Sequence, residues 1–459
     1  RLMDLANLAE DRERIRILRQ RERAAHPSPR GETIGAAIAQ LADRGVTNQQ
    51  LQHLLESLQI DLVFTAHPTE AKRRSVRRKL RRIRQLMEVL DTNQTPAERD
   101  RTERLIQAEL AKLWQTDLIR PWRPSVIQEV QRGLSVKRVL WEVVPELLED
   151  LRQSLDEIYR DQLPAARTCL RFGSWIGGDR DGHPGVTLTT TENAVVWLRE
   201  AAIGYQLEAC SDLFESLSIS RRQSDFGPSL DNRIESACRD WPHLVGELEN
   251  IPPNEMCRRW IEVIHWRLRQ TQRVSLTEPK IDGAYRAPGE LRRDVSTLLD
   301  AVSNSPAADL LGSEVQTWLD RVDTFGFQLA RLDVRQDARK YRPVVDELLQ
   351  ATRLCDCPQD LSETDRQTLL VESMDNPLEV GSHDFTEPTR DAVGLFELLR
   401  RITGTFGPHA LGGHVISMTH VPSDVLSILW LWRQSALAHR PDQADELSPL
   451  PIIPLFETI

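Results

Sequence analysis

Leu62-Val63-Phe64-Thr65-Ala66-His67-Pro68-Thr69-Glu70 is a short apolar run that breaks into a polar cluster, with a strongly basic stretch close behind it from Lys72 to Arg84. An apolar, β-prone run of this kind reads as a strand that delivers polar residues at its end. The same plan recurs four more times. Residues 170–176 lead into Gly177-Gly178-Asp179-Arg180-Asp181-Gly182, 327–334 into Arg335-Gln336-Asp337, 414–418 into Thr419 and then Asp424, and 452–456 into Glu457. Between these runs the apolar residues recur at helical period, most plainly over 95–121, 126–163 and 191–219. The first of these helices opens with Thr95-Pro96, an N-cap residue followed by proline at the first helical position. Strands separated by long helices predict a parallel sheet or barrel, with the chemistry gathered at the C-terminal ends of its strands. The expected fold is mainly α with a parallel β/α barrel (TIM-like) core that is incomplete in these residues. No repeat at a fixed period supports a helical solenoid.

Composition narrows the function class. The chain has 459 residues, 40% of them apolar and 28% charged, as in a globular protein. Its longest apolar runs fall far short of the roughly 20 residues a membrane helix needs. Six cysteines are scattered without a CxxC pair, so neither a zinc site nor a disulfide framework is expected, and a reducing cytoplasm fits best. The net charge of −10 argues against nucleic acid as the main partner. The first residues lack a signal-peptide plan, the last follow an apolar run directly, and both ends read as cut from a longer chain.

Each polar cluster admits a structural and a chemical reading. With Pro68 at a first helical position, His67 becomes an N-cap beside free amides that can hold a phosphate or carboxylate, or it is simply a cap. In the basic stretch Val76, Leu80, Ile83, Met87 and Leu90 form one apolar stripe. The arginines around it suit a solvated face, a nucleic-acid footprint or grip on a phosphorylated ligand, and Arg73 and Arg74 stand within a turn or two of His67. The glycine-rich stretch 173–184 is no Walker loop, and Pro184 occupies the glycine that a calcium loop requires. It is either a tight loop whose backbone approaches something closely or a surface turn built on Asx hydrogen bonds. Near Arg335, Leu332 and Val334 point one way while Arg331, Asp333 and Arg335 point the other. That face suits a site mouth in which Asp333 orients an arginine for phosphate, or else an exposed edge strand. Glu457, at the end of an apolar strand, is a candidate ligand for a hard cation such as Mg²⁺.

Together and in order these segments resemble the phosphoenolpyruvate carboxylase family, with its TAHPT[EQ] motif and paired arginines, GGDRDGNP loop, LD[IV]RQ strand, ISM-x(4)-SDVL segment and PLFET strand. They stand here at 65–70 with Arg73-Arg74, 177–184, 332–336, 416–426 and 454–458, and Trp114-Gln115-Thr116-Asp117 also fits. The resemblance covers essentially the whole chain. It implies that residues 1–459 are part of a single large domain, and that bicarbonate attacks phosphoenolpyruvate to give carboxyphosphate and an enolate held on Mg²⁺ (or Mn²⁺), which captures CO₂ to form oxaloacetate. It further implies that His67 assists the carboxyphosphate step, that Arg335 binds phosphate, and that Glu457 is one of two carboxylate metal ligands. Trp175 and Leu455 would line a CO₂ pocket, and Arg73 and Arg74 a regulatory anion site. A homotetramer is implied for the full-length protein, with neither nucleic acid nor membrane as a partner. The chain departs from the pattern at His183, where the family has Asn, and at Ala338 and Tyr341, where it has Ser and His. The family's YSDSxKD and FHGRGG segments, with the second metal carboxylate and a lysine, are expected beyond Ile459, so these residues alone are expected to be inactive. The alternative is a non-catalytic relative that keeps the fold as a regulatory or assembly subunit.

Overall fold

The computed structural model describes residues 1–22, 31–65, 73–118, 125–133, 136–159, 168–183, 185–223, 226, 228–305, 308–378, 384–439 and 450–457. Along the chain run α1 (Leu2–Glu22), α2 (Ile34–Asp43), α3 (Asn48–Ser57), β1 (Ile60–Phe64), α4 (Arg74–Leu90), α5 (Pro96–Trp114), α6 (Val126–Gly133) and α7 (Lys137–Tyr159). Then come β2 (Leu170–Ser174), α8 (Leu188–Ser216), α9 (Ser229–Asp240), α10 (Leu244–Glu249), α11 (Met256–Arg273), α12 (Pro288–Ser303), α13 (Ala308–Phe325) and β3 (Arg331–Asp337). The last elements are α14 (Ala338–Ala351), α15 (Glu363–Glu372), α16 (Glu387–Phe406), β4 (Leu411–Ser417), α17 (Pro422–His439) and β5 (Ile452–Pro454). No helix among the described residues is long and apolar enough to cross a membrane.

The chain divides into two compact units. The smaller is assembled from Arg1–Thr47, His67–Pro124 and Ser154–Asp161. Its core is the stripe expected on the basic helix: Val76 and Ile83 of α4 bury against Leu113 of α5, with Leu80, Met87 and the α1 residues Leu5 and Leu8 around them. Arg78, Arg81, Arg82 and Arg84 on the other side of α4 are exposed, as a solvated face requires. The predicted cap of α5 is present in full, Thr95 and Glu98 each accepting the other's backbone N–H.

The larger unit, Asn48–Ala66, Ser125–Gln153 and Gln162–Ile459, carries a five-stranded sheet. Every neighbouring pair is parallel, and the spatial order β1-β2-β3-β4-β5 equals the chain order. Parallel neighbours need a crossover between them, and the helices that follow each strand supply it. One continuous core joins α8, α11, α12, α13 and the sheet through Leu198, Ile264, Leu298, Trp318 and Leu332. Buried Gln206 of α8 is paired at both ends, donating to Gly326 O at 2.9 Å and accepting from the Trp318 indole at 2.8 Å.

All five expected strands form, with shifted ends. Residues 327–330 are buried but not extended, because the turn that closes α13 occupies them: Gly326 adopts φ +50° and Gln328 N–H bonds Phe325 O. β3 therefore starts at Arg331. The expected helix 126–163 is two helices, α6 ending at Gly133 and α7 starting at Lys137. Glycine is a poor helix residue and a favourable place to stop. Of the two readings of the strand at Arg335, the exposed edge strand is excluded, since β3 is the centre of the sheet.

α7 continues through Pro145, whose missing N–H leaves the carbonyl of Trp141 without its helical donor. Arg321 of α13 supplies the replacement, its Nε donating to Trp141 O at 3.1 Å while its guanidinium lies over the Trp141 ring. Arg321→Met should cost about 1–3 kcal/mol in denaturant unfolding. Adding Pro145→Ala to that variant should restore part of the loss, because an alanine N–H can reach the same carbonyl. No recovery in the double variant would show that the bond to Trp141 O is not the origin of the effect.

Candidate functional site

The C-terminal ends of β2, β3, β4 and β5 carry the residues that matter. After β2 the chain turns sharply, with the carbonyl of Trp175 accepting from both Gly178 N–H and Asp179 N–H at 2.9 Å. Gly177 makes the turn possible at φ +96°, in the left-handed region where a side chain is strained. Gly178 is then laid against β3 so closely that an added Cβ would stand 2.1 Å from the Asp333 carbonyl oxygen. The close approach expected of this loop is therefore to the next strand. Arg335 N–H donates to Gly178 O at 2.9 Å and Arg180 N–H to Arg335 O at 2.8 Å, so the loop extends the sheet past the end of β2. The Asx turn is present too, with Asp181 N–H on Asp179 Oδ1 at 3.2 Å.

This docking brings two carboxylates to Arg335. One guanidinium nitrogen lies 3.5 Å from Asp179 Oδ2 and another 3.1 Å from Asp181 Oδ2, while Trp175 covers the group with its ring centroid 5.0 Å away. The side chain is 16% exposed, and its buried Nε has no hydrogen-bond partner among the described residues. Asp181 also accepts from Ser417 Oγ of β4 at 2.8 Å. Asp179, Asp181 and Ser417 were not singled out from the sequence. The usable signal was the Asp-x-Asp spacing, which in an extended segment puts both side chains on one face.

Asp333 does not orient Arg335. Its carboxylate accepts from Trp175 Nε1 at 3.0 Å and sits in a slot left by glycines. β4 bulges opposite Asp333, and an added Cβ on Gly412 would stand 1.9 Å from Asp333 Oδ1. Burial pushes this carboxyl up to about 6, against the lowering effect of the Trp175 bond. Deeper in the sheet His414 pairs with Tyr341 through Nε2 at 2.7 Å, and burial holds its imidazole down to about 4. Tyr341, one of the departures from the family pattern, is thus a core residue with a satisfied hydroxyl.

At the far side of the sheet Leu455 N–H donates to Ile416 O at 2.9 Å, and exposed Glu457 accepts from Met418 N–H at 3.0 Å. Met418 makes room for that contact in the left-handed region, φ 54°. Asp424 accepts the N–H groups of His420 and Val421 and caps α17. Trp175 and Leu455 share the C-terminal edge but belong to β2 and β5 ends, with β3 and β4 between them in the sheet. His67 lies outside the described residues, as does the side chain of Arg74. Arg73, in the smaller unit, occupies the N-cap of α4, and Pro68 lies outside the described residues; the Arg73 side chain faces Asp117 at 3.7 Å.

Among the described residues no group of three or more His, Cys, Asp or Glu side chains could hold a metal by itself. Mg²⁺ commonly takes only one or two protein carboxylates and completes its shell with water and substrate oxygen. Glu457, exposed at the strand ends with one oxygen engaged by a backbone amide, fits as one such ligand.

Asp333 and His414 predict opposing pH effects. Asp333 is raised from 3.8 to about 6, so its contribution is present at low pH and is lost as pH rises through that window. His414 is lowered from 6.5 to about 4, so its contribution is present above that window and is lost as pH falls through it. Each is worth on the order of 3 kcal/mol, and in the wild type they largely cancel between about pH 4 and 6. The stability of Asp333→Asn relative to wild type should therefore rise with pH across this range, and that of His414→Gln should fall. Parallel profiles for all three proteins, measured by unfolding free energy against pH, would contradict both assignments.

The family model of phosphoenolpyruvate carboxylase matches residues 1–459. Phosphoenolpyruvate carboxylase of Xanthomonas campestris is 33% identical over 467 residues, covering 99% of this chain and 49% of that protein. That of Roseiflexus castenholzii is 32% identical over 465 residues, covering 99% and 49%, and that of Prochlorococcus marinus 30% over 461 residues, covering 94% and 45%. The chain spans about half the length of these curated relatives. With its whole length matched by that family model, the chain belongs to the phosphoenolpyruvate carboxylase family.

Proposed function

We propose that this chain supplies part of an enzyme that carboxylates phosphoenolpyruvate with bicarbonate, giving oxaloacetate and phosphate by way of carboxyphosphate. The observation that carries this reading is the half-buried Arg335 guanidinium, braced by Asp179 and Asp181 and covered by Trp175, on the sheet edge that also bears Glu457. A planar guanidinium fixed on two sides offers its remaining N–H groups in one orientation suited to phosphate. Trp175, held by Asp333, presents an apolar ring beside that cation, which suits a pocket for CO₂ shared with Leu455. Mg²⁺ bound with the help of Glu457 would supply a hard positive charge to substrate oxygens. His67 would act on the carboxyphosphate, and Arg73 and Arg74 would form a regulatory anion site.

The sheet is read as part of a TIM-like barrel within one large domain. Both edge strands leave apolar side chains uncovered, Ile60, Leu62 and Val63 on β1 at 40, 47 and 41% exposure and Ile453 on β5 at 41%. Such edges call for further strands. A cytoplasmic homotetramer completes the proposal for the full-length protein.

Full-length protein given phosphoenolpyruvate, bicarbonate and Mg²⁺ should form oxaloacetate; wild type that makes none would end the carboxylase reading. Arg335→Gln should lower kcat/KM for phosphoenolpyruvate by on the order of 10²- to 10³-fold, and His67→Asn should abolish oxaloacetate release. Residues 1–459 expressed alone should make no oxaloacetate, since among the described residues Glu457 is the one carboxylate assigned here to the metal. Turnover near the full-length rate would overturn that expectation.

A further inference from the structure

A cavity of about 380 Å³ opens on the opposite side of the sheet from the strand-end site, where β2 and β3 begin. Part of its wall is apolar, formed by Phe325, Phe327 and Phe406. Four arginines stand in the rest, beside Thr168, Thr324, Gln328 and His409. Arg171 comes from β2, Arg331 opens β3, Arg286 precedes α12 and Arg292 lies in its second turn. Within this lining the acid is Asp323, which accepts from Arg292 Nε at 2.7 Å. Arg331 is held below its ordinary value first by burial and next by the charge of Arg171, with Asp61 and Asp333 offsetting part of the effect. Cations crowded together with too few acids favour a bound anion.

Two further features belong to the same lining. Gln328, 8% exposed, lines the cavity, and neither its Oε1 nor its Nε2 has a hydrogen-bond partner among the described residues. A buried amide with both ends unmet is costly unless something that can donate and accept fills the place. The 16-residue helix α12 starts at Pro288 with Ala287 at its N-cap, a residue whose side chain cannot accept, and Pro288 and Gly289 line the cavity. Its N-terminal amides therefore lack a side-chain cap and favour negative charge.

We propose that this cavity is a binding site for a small organic dianion, a hydroxylated dicarboxylate or a phosphate ester, whose anionic groups engage the arginines and whose hydroxyl meets Gln328. A few carbons fill the volume against the phenylalanines. The site shares no residue with the strand-end cluster or with Arg73 and Arg74, and its occupancy does not depend on the carboxylase reading.

Isothermal titration of the full-length protein with tartrate, with glycerol 3-phosphate and with inorganic phosphate tests it. At least one of the two organic dianions should bind more tightly than inorganic phosphate, and which one identifies the anionic group. Arg171→Gln and Gln328→Leu should each weaken that binding by roughly tenfold, while Arg335→Gln leaves it in place. Gln328→Leu should also raise the unfolding midpoint of the ligand-free protein, since it removes the unmet amide. Arg171 is exposed, so its variant remains informative even where Gln328→Leu disturbs folding. The proposal fails if neither organic dianion binds, if inorganic phosphate binds as tightly as both, or if binding survives Arg171→Gln and disappears with Arg335→Gln.

Discussion

The approach of Gly178 to the carbonyl of Asp333 is the contact on which the strand-end site depends. With no Cβ at 178, the loop after β2 can hydrogen-bond along β3 as a continuation of the sheet. Everything nearby takes its place from that register. Asp179 and Asp181 come to Arg335, the Trp175 indole comes to Asp333, and Asp181 reaches across to Ser417 on β4. The glycine-rich stretch thus works as a spacer that lets two backbones touch, and the side chains it carries are positioned as a consequence.

Much of this was legible from the residues. The alternation of apolar runs, polar clusters and helical stretches gave five strands in parallel order, because each run was short, β-prone and terminated by residues that cannot be buried cheaply. The apolar stripe of α4 and the cap of α5 were read correctly for equally local reasons. What could not be read was partnership across strands. Asp333 and Arg335 lie two residues apart on one strand face, yet Asp333 belongs to Trp175, because a bulge at Gly412 opens a slot for its carboxylate that no local pattern announces. The smaller unit was hidden for a related reason. It is assembled from three separated stretches, so no linker marks it in the chain.

The two edges of the sheet handle charge differently. At the C-terminal edge each arginine comes with its acids: Arg335 with Asp179 and Asp181, Arg180 with Asp391, and Arg339 with Asp337. At the N-terminal edge Arg171 lowers the pKa of Arg331, and one acid, Asp323, stands in the described cavity wall, where it accepts from Arg292. Buried or half-buried guanidinium groups need compensation in either case. The first edge finds it mostly within the fold, and the second leaves room for it to arrive from outside.

The sharing of one guanidinium by two carboxylates has a consequence for how an anion can enter. With all three groups ionised, the Asp179, Asp181 and Arg335 trio carries a surplus of one negative charge. An incoming phosphate meets that surplus in a half-buried setting where repulsion is weakly screened. A cation accompanying it would offset that surplus. An anion paired with a cation would thus meet less repulsion here than a bare anion of the same shape.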